Sequence, residues 1–486
     1  MTPGGFDCTH SPTILNCMDW GGPHYDLSSH HVFQTTGFAM PSPRHIRRDF
    51  LRVGSAAGTA AALPHLWLSR FAWAESPNER LNVAAIGVGG RGTGIGRQAA
   101  SLGNMVACAD VHRKNAEDFA KPYEGRCEVL TDYRKVLDRQ DVDAVTIGTP
   151  DHWHVKIAID AMKAGKDVYC EKPLTLTIAE SKLICEAVQK TGKVFQVGTQ
   201  QRSEFNSMFL KAVAMARSGR LGKKLRAISS VGQATAGGPF PTSEPPEFLD
   251  WDFWLGQAPK VPFCENRIGW NFRWWFEYSG GQVTDWGVHH TDIALWALGG
   301  EETGPIQVTP VNFEFPLGRE LMLETLLGKR PWQELPVSYN VAKSFDCDML
   351  LPNGNEIKLL SGKNELIIEG ELGKIRVNRG SLTGAPIEDL SEADKKWLDD
   401  EVRKLYRGKE PGSHMRNFFE CIKDRSLPVS DVFTHTKSVN ACHMANISML
   451  LNRTIKWDPD KYEFPGDEEA NALTQRPQRE AYRIVL

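Results

Sequence analysis

Lys172 is a candidate catalytic side chain because of its position in the sequence. It follows the run Asp167 to Cys170 and precedes Pro173. The run predicts a strand, and Pro173 disfavours a helical backbone at Lys172, so the ammonium group should project from the carboxyl edge of a sheet. There it could polarise a hydroxyl or carbonyl oxygen. The alternative is a surface lysine paired with Glu171.

A second group lies in a segment that predicts a helix from Gln282 to Leu298. Asp285, His289, Asp292 and Trp296 are spaced so that they share one helical face. A carboxylate one turn from an imidazole can fix the tautomer of the ring and raise its basicity, as a general base requires. The alternative is a structural histidine held by its neighbouring aspartate.

A glycine cluster within Leu81 to Gly96 provides the element that would bring these side chains to a ligand. Gly87, Gly89 and Gly92 form G-x-G-x-x-G between a predicted strand and a predicted helix. Such a loop makes a tight turn, lets the backbone approach a pyrophosphate, and packs helix on strand. The motif alone is weak, and the alternative is a glycine-rich loop without a ligand.

The next predicted strand strengthens the nucleotide interpretation. It covers Asn104 to Ala109 and ends at Asp110. A carboxylate there can accept both ribose hydroxyls and repels a 2′-phosphate, which favours NAD over NADP. Arg113 lies close enough to weaken that preference.

Histidines raise the question of a metal. His152 and His154 follow a predicted strand in a loop that begins at Thr149, and His289 and His290 form a second pair. The spacing matches no standard zinc signature, so no metal is predicted. The loop histidines are expected to line a nicotinamide pocket or to contact sugar hydroxyls.

Composition limits the classes of partner. The chain has 486 residues, a formal net charge of -3 and ten scattered cysteines without a C-x-x-C pair. We expect two or three domains, buried reduced thiols, and no nucleic acid or membrane surface as a partner.

The amino terminus predicts export. Residues 1–39 are polar and are assigned no fold, and Met40 is a candidate start. Residues 40–75 combine Arg47-Arg48, a mildly apolar run and Ala72-Trp73-Ala74, as in a cleaved twin-arginine signal. A retained membrane anchor is the alternative. The signal implies passage through the twin-arginine machinery to the periplasm, with the protein folded and its cofactor loaded.

The remaining pattern predicts an α/β protein with two domains. Strands and helices alternate over 78–200, as in a doubly wound parallel Rossmann sheet. Residues 201–460 predict an α+β domain for substrate and oligomerisation, with a mostly antiparallel sheet, a hairpin turn at Asn353-Gly354 and a loop over a pocket from Gly237 to Trp275. Residues 461–486 are a charged tail.

Taken together, the glycine loop, Asp110, Glu171-Lys172-Pro173 and the Asp285 to Asp292 pattern resemble the glucose-fructose oxidoreductase, inositol dehydrogenase and MocA family, in its exported branch. The resemblance implies catalytic roles for Lys172, Asp285 and His289. The expected cofactor contacts are Gly87, Gly89, Gly90, Arg91, Gly92, Asp110, Thr149, Pro150, His154 and Glu171. The expected substrate contacts are Lys172, Arg202, Trp275, His289 and His290. Residues 317–335 depart from the family pattern as an apparent insertion.

The resemblance also implies a function. We expect hydride transfer between a tightly bound NAD, or less favourably NADP, and a sugar or polyol hydroxyl, in a homodimer or homotetramer. One alternative is a redox-assisted glycoside hydrolase or lyase that uses the same site. The other is a non-catalytic sugar- or nucleotide-binding protein.

Overall fold

A computed structural model describes residues 80–486 of the chain. The predicted leader and twin-arginine signal lie outside the described residues. Within the described range, no helix has both the length and the apolar character needed to cross a membrane.

The first half of the described chain forms a six-stranded parallel sheet. Its strands are β1 Asn82–Ile86, β2 Asn104–Ala109, β3 Glu128–Leu130, β4 Ala144–Ile147, β5 Asp167–Cys170 and β6 Phe195–Val197. The strand order is β3-β2-β1-β4-β5-β6. This is the doubly wound order with its switch point between β1 and β4, and ligands bind outside the carboxyl ends of the strands at such a point.

The helices between these strands are α1 Gly90–Leu102, α2 Arg113–Ala120, α3 Tyr133–Leu137, α4 Asp151–Lys163 and α5 Ile178–Thr191. β1, β4 and β5 are almost wholly apolar and buried, as expected for strands covered on both faces. The predicted Rossmann fold is therefore confirmed.

The second half forms an eight-stranded sheet. Its strands are β7 Leu225–Val231, β8 Gln307–Glu314, β9 Ser344–Leu350, β10 Glu356–Ser361, β11 Glu365–Gly370, β12 Gly373–Val377, β13 Leu382–Thr383 and β14 Ile455–Lys456. The order is β13-β12-β11-β7-β10-β9-β8-β14, and only the β7–β10 pair is parallel. The predicted antiparallel character and the β9–β10 hairpin at Asn353-Gly354 are confirmed.

Ten further helices accompany this sheet in the described range. They are α6 Met208–Arg217, α7 Trp251–Leu255, α8 Gln282–Asp285, α9 Gly287–Ala297, α10 Arg319–Leu326, α11 Ala385–Glu388, α12 Glu392–Leu405, α13 His414–Asp424, α14 Val432–Leu451 and α15 Glu468–Ala472. α9 and α14 pack together and against the sheet, and their residues are almost all buried. The apparent insertion at 317–335 contains α10.

Two segments near the carboxyl terminus pack against the first sheet. Met415, Phe418 and Phe419 of α13 join the core that covers one face of the Rossmann sheet. Ile484, near the carboxyl terminus, joins the core on the other face. The nucleotide-binding half is therefore completed by residues that follow the whole second sheet in sequence.

Two segments differ from the sequence predictions. α4 begins at Asp151, so His152 and His154 lie in its first turn and not in a loop. Pro150 takes the N-cap position, and the Asp151 carboxyl lies in the first turn of the helix. The predicted helix over 282–298 is divided into α8 and α9 at Trp286.

Candidate functional site

A cavity of about 550 Å³ lies between the carboxyl ends of the parallel strands and the segments that precede α8 and α9. Its volume is in the range of small-molecule binding sites. Residues from both halves of the described chain line it. At one end are the glycine loop and Asp110, and at the other are Lys172, Asp285 and His289.

The glycine loop has the conformation that a pyrophosphate site needs. Gly87 has a φ of +73°, which a glycine adopts without strain, and Gly89 is the N-cap of α1 without a side-chain cap. The first N–H groups of α1 are thus available to an anion. A Cβ on Gly92 would lie 1.8 Å from the carbonyl oxygen of Gly87, so this third glycine permits close packing of helix on turn.

Asp110 stands at the end of β2, where a ribose is expected. Its carboxylate accepts hydrogen bonds from the backbone N–H groups of Val88 and His112, each at 2.9 Å. Burial raises the pKa of this carboxyl, while those two hydrogen bonds oppose the rise. Arg113 does not line the cavity: it pairs with Glu117 at 3.5 Å and is 61% exposed.

The other predicted cofactor contacts lie along the same wall. Gly90, Thr149 and Pro150 line the cavity. His154 lines it too, with its ring nitrogens 2.8 Å and 2.9 Å from the carbonyl oxygens of Pro173 and Thr149. Arg91 binds Glu171 at 2.9 Å, so Glu171 is the partner of Arg91 and not of Lys172.

Lys172 is bound by Asp285. Its Nζ lies 2.7 Å from Oδ1 and 2.9 Å from the backbone oxygen of Asp285. Arg273 approaches Oδ2 of the same carboxylate at 3.2 Å. Burial alone would raise the pKa of Asp285, but Lys172 and Arg273 together outweigh it and lower that pKa to about 2. The site therefore contains an ionised aspartate between two cations.

His289 lies on α9 within the same cavity, and its partner is Arg379, not Asp285. Nη2 of Arg379 lies 3.2 Å from Nε2 of His289. Because a guanidinium only donates, Nε2 accepts this bond and the proton of the neutral ring is on Nδ1. Burial, together with the charges of Lys172 and Arg379, holds the pKa of His289 well below 6.5. The ring is thus neutral at physiological pH.

This geometry corrects the role predicted for Asp285. The spacing suggested that it orients His289, but its oxygens are taken by Lys172 and Arg273. Two cations attract a carboxylate more strongly than a neutral imidazole does. Asp285 is a positioning residue for Lys172.

Three predicted substrate contacts lie away from the cavity. Arg202 is buried in a two-bond ion pair with Asp292. Trp275 is buried and donates its indole N–H to the backbone oxygen of Asn266, and His290 binds Asn364 at 2.6 Å. Their contacts hold the second half together, and none of them lines the cavity.

The cavity has three further lining residues that were not among the predicted contacts. Arg273 binds Asp285 from twelve residues earlier in the chain, and Arg379 binds His289 from a segment distant in sequence. Asp151 is buried beside Lys172, and burial raises the pKa of its carboxyl to about 7. Asp151 alone had a sequence signal, its place directly after Pro150 at the end of a strand.

Aromatic side chains close the outer wall of the cavity. Phe253, Trp254, Trp270 and Phe272 line it, and all four belong to the predicted covering segment. Trp270 is 62% exposed, with the Arg273 guanidinium 4.0 Å from its ring centre. An exposed indole at the cavity wall is suited to contact the apolar face of a ligand ring.

His152 does not line the cavity. Its Nε2 lies 3.0 Å from the backbone oxygen of Trp254, and burial lowers its pKa to about 3. Within residues 80–486, no three His, Cys, Asp or Glu side chains are grouped closely enough to hold a metal ion.

Two family profiles match the chain. One, described as the NAD-binding Rossmann fold of the GFO_IDH_MocA oxidoreductase family, matches residues 81–199. The other, described as the C-terminal alpha/beta domain of that family, matches 235–315 and 361–484.

Curated relatives are similar over shorter spans. Inositol 2-dehydrogenase 2 of Saccharopolyspora erythraea is 28% identical over 257 residues, which are 51% of this chain and 64% of that protein. The alpha-N-acetylgalactosaminidase of Shewanella oneidensis is 28% identical over 204 residues, 37% of this chain and 44% of that protein. The chain thus matches less than two-thirds of the length of either relative.

Among solved structures, an aldose-aldose oxidoreductase from Caulobacter crescentus, complexed with glycerol, has the same fold. It aligns with a TM-score of 0.54 and 17% identity, over 78% of this chain and 99% of that one.

Proposed function

The chain belongs to the Gfo/Idh/MocA oxidoreductase family, with its NAD-binding Rossmann domain, and on that premise we propose that it transfers hydride between a bound nicotinamide cofactor and a sugar or polyol hydroxyl. One observation carries the proposal. The glycine loop, Lys172 and His289 line a single cavity, although the last two lie in different halves of the chain.

The residues at the nucleotide end fit NAD. The uncapped start of α1 suits a diphosphate, and Asp110 suits the ribose hydroxyls. Arg113, the residue that could have favoured a 2′-phosphate, is turned toward Glu117. We therefore propose NAD, held tightly. When bound, it supplies the acceptor for the hydride.

Lys172 is the group proposed to stabilise the substrate oxygen. Its ammonium is held by Asp285 at the cavity wall, so its position is fixed before the substrate binds. A positioned cation lowers the energy of the negative charge that develops on the oxygen as its proton leaves. Because Asp285 also binds Arg273, the carboxylate remains ionised throughout.

His289 is proposed to take the hydroxyl proton on Nε2. The ring is neutral, as a base must be, but its Nε2 lone pair is held by Arg379. The substrate hydroxyl must therefore replace Arg379 on this nitrogen before the proton can move.

The test is turnover in a matched pair of lysine variants. Purified protein is loaded with NAD, offered monosaccharides and polyols, and followed in the nicotinamide absorbance band. We expect turnover in the wild type and in Lys190→Met, which changes an exposed lysine of α5. We expect Lys172→Met to lose about 10²- to 10⁴-fold in kcat. A wild type that binds NAD but oxidises none of these compounds would refute hydride transfer to such hydroxyls.

Redox-assisted glycoside cleavage is the second candidate. The relative from Shewanella oneidensis, named an alpha-N-acetylgalactosaminidase, favours it. Transient oxidation of a sugar carbon acidifies its neighbour and permits elimination of the glycosidic group. Release of an aryl group from aryl glycosides, without net formation of NADH, would identify this reaction.

A binding protein without catalysis is the third candidate. In this case, calorimetry should show sugar binding that Lys172→Ala and His289→Ala leave unchanged. The absorbance assay should show no turnover.

We further propose that the protein acts in the periplasm as a homodimer or homotetramer, after folded export by the twin-arginine route. Arg47-Arg48 supports the export route. Replacement of both arginines by lysine should retain the protein in the cytoplasm, as cell fractionation would show. Light scattering on the purified protein would measure the assembly.

A further inference from the structure

Four cationic side chains line the cavity, and one of them differs from the rest. Arg91 pairs with Glu171, and both Lys172 and Arg273 pair with Asp285. The fourth, Arg379, forms no ion pair with any carboxylate of residues 80–486. Its one polar side-chain contact is the bond to His289.

The surroundings of Arg379 do not neutralise its charge. Its guanidinium lies 4.4 Å from the ring centre of Trp286 and 4.9 Å from that of Phe205, and its Nε is buried without a partner. Burial and the nearby Arg91 lower its pKa, which shows that the charged form is disfavoured here.

The acidic groups that face Arg379 lie farther off. Glu204, Glu171 and Asp285 act on it only through space. Glu171 and Asp285 are also committed to other cations. Among the four cavity cations, Arg379 is therefore the one that has no carboxylate of residues 80–486 within ion-pair distance.

The position of Arg379 makes its missing carboxylate partner relevant to the substrate. The same guanidinium occupies the lone pair of His289, which the reacting hydroxyl must reach. An anionic group a few ångströms from that hydroxyl would draw the guanidinium away and free Nε2. A hydroxyl of a neutral sugar attracts the guanidinium less strongly, because only a carboxylate brings an opposite charge and accepts two parallel hydrogen bonds.

We propose that Arg379 binds a carboxylate of the substrate, and that the substrate is an acidic sugar, of the uronic or aldonic acid class. A substrate carboxylate would supply the ion-pair partner that Arg379 lacks, and guanidinium and carboxylate are matched in shape. The proposal rests on the proposed hydride transfer, which it narrows to one substrate class.

The test compares acidic and neutral sugars of the same skeleton. kcat/KM is measured for glucuronate against glucose and for galacturonate against galactose, in the wild type, Arg379→Gln and Arg379→Lys. The control is Arg376→Gln, the same change on β12 at an arginine that pairs with Glu365 and does not line the cavity. The acid-to-neutral ratio is the readout, because an effect of Arg379 on the pKa of His289 changes both members of a pair and cancels.

We expect the wild type and Arg376→Gln to prefer the acids. Arg379→Gln should lower the ratio on the order of 10- to 100-fold, and Arg379→Lys should lower it less because the charge is kept. In a binding assay, gluconate and glucuronate should raise the melting temperature of the wild type more than that of Arg379→Gln.

The outcomes separate this proposal from the one on which it rests. The protein could oxidise neutral sugars while Arg379→Gln leaves the acid-to-neutral ratio of kcat/KM unchanged. That result would overturn the carboxylate site but keep hydride transfer. Binding of the acids that depends on Arg379, without oxidation of any sugar, keeps the site and overturns hydride transfer. A wild type that prefers phosphorylated sugars to both acids and neutral sugars overturns the assignment of a carboxylate.

Discussion

Asp285 lies between Lys172 and Arg273, so removing its charge should destabilise the protein. In Asp285→Asn, both Lys172 and Arg273 lose their carboxylate partner in a buried site. Breaking a buried pair by removing one partner costs about 3–5 kcal/mol. We expect the free energy of unfolding in urea to fall by about that amount, and kcat to fall because Lys172 is no longer held.

A matched control is Asp399→Asn, which removes an exposed carboxylate 3.6 Å from Lys211. An exposed pair of this kind contributes between about 0 and 1 kcal/mol. Equal stability of the two variants would contradict the buried ion-pair arrangement.

The lowered pKa of His289 predicts how kcat/KM depends on pH. An ordinary histidine has a pKa of about 6.5, so a base of that kind becomes protonated and inactive as the pH falls from 7.5 to 6. Burial and the neighbouring cations lower the pKa of His289 well below 6.5, so it remains a neutral base over this interval. We expect kcat/KM to change little between pH 7.5 and 6.

Lys172→Met offers a check on this reason. Burial is the largest cause of the low pKa of His289, and the charge of Lys172 is the second largest. Without the ammonium group this pKa rises, so the residual activity of the variant should begin to fall at a higher pH than that of the wild type. A wild-type limb centred near pH 6.5 would contradict the burial of a neutral His289.

At the scale of elements, the glycine loop depends on a close approach at the start of α1. A Cβ at Gly92 would collide with the carbonyl oxygen of Gly87, which is backbone and cannot turn away. We therefore expect Gly92→Ala to weaken NAD binding, measured by calorimetry, and to lower the melting temperature. Gly94→Ala is the control, since its Cβ meets nothing closer than 4.0 Å. That change should stabilise the helix by about 0.5–1 kcal/mol. Equal NAD affinity in both variants would show that the turn can adjust.

The same loop shows how much could be predicted from sequence. The loop, β2 and the acidic residue at its end form a contiguous pattern whose spacing is fixed by local backbone geometry. The predicted strand Asn104 to Ala109 accordingly matches β2. The hairpin at Asn353-Gly354 was predictable for the same reason.

The partners of Asp285 could not be predicted in this way. Helical spacing identified His289 as a neighbour, whereas Lys172 comes from 113 residues away along the chain. Arg202 was predicted to contact the substrate, but an arginine near a site can equally form a buried ion pair. Only the fold shows that Asp292 is its partner. Contacts between distant segments depend on how the two sheets meet, which no local pattern encodes.

At the scale of the whole molecule, the cavity is built from both halves. Lys172 follows a strand of the first sheet, His289 lies on a helix over the second, and Arg379 comes from the connection between β12 and β13. α13 and the carboxyl-terminal residues then pack on the first sheet. The reactive groups are therefore held by packing across the described chain and not by one segment.

The core that holds them also predicts a sensitivity to acid. Burial lowers the pKa of seven histidines. The pKa falls to about 3 for His152 and His443, to about 4 for His290, His414 and His435, and below its ordinary value for His154 and His289. In the unfolded chain these side chains take up protons near pH 6.5, while in the folded protein they stay neutral. Stability is therefore lost as the pH falls from 6.5 toward 4.

Two buried carboxyls act in the opposite direction. Burial raises the pKa of Asp151 and of Glu180 to about 7, so the folded protein takes up these protons before the unfolded chain does. Between pH 7 and 5.5 the seven histidines lose more than the two acids regain, so the free energy of unfolding falls over this interval.

Urea unfolding at pH 7 and at pH 5.5 measures this difference directly. His435→Phe is the matched variant, because neither ring nitrogen of His435 has a hydrogen-bond partner in the structure and phenylalanine is similar in size. It should reduce the loss between the two pH values by about 1 kcal/mol, the share of one histidine. A free energy of unfolding that rises on acidification, or a variant with the wild-type pH dependence, would mean that these histidines are not held neutral in the core.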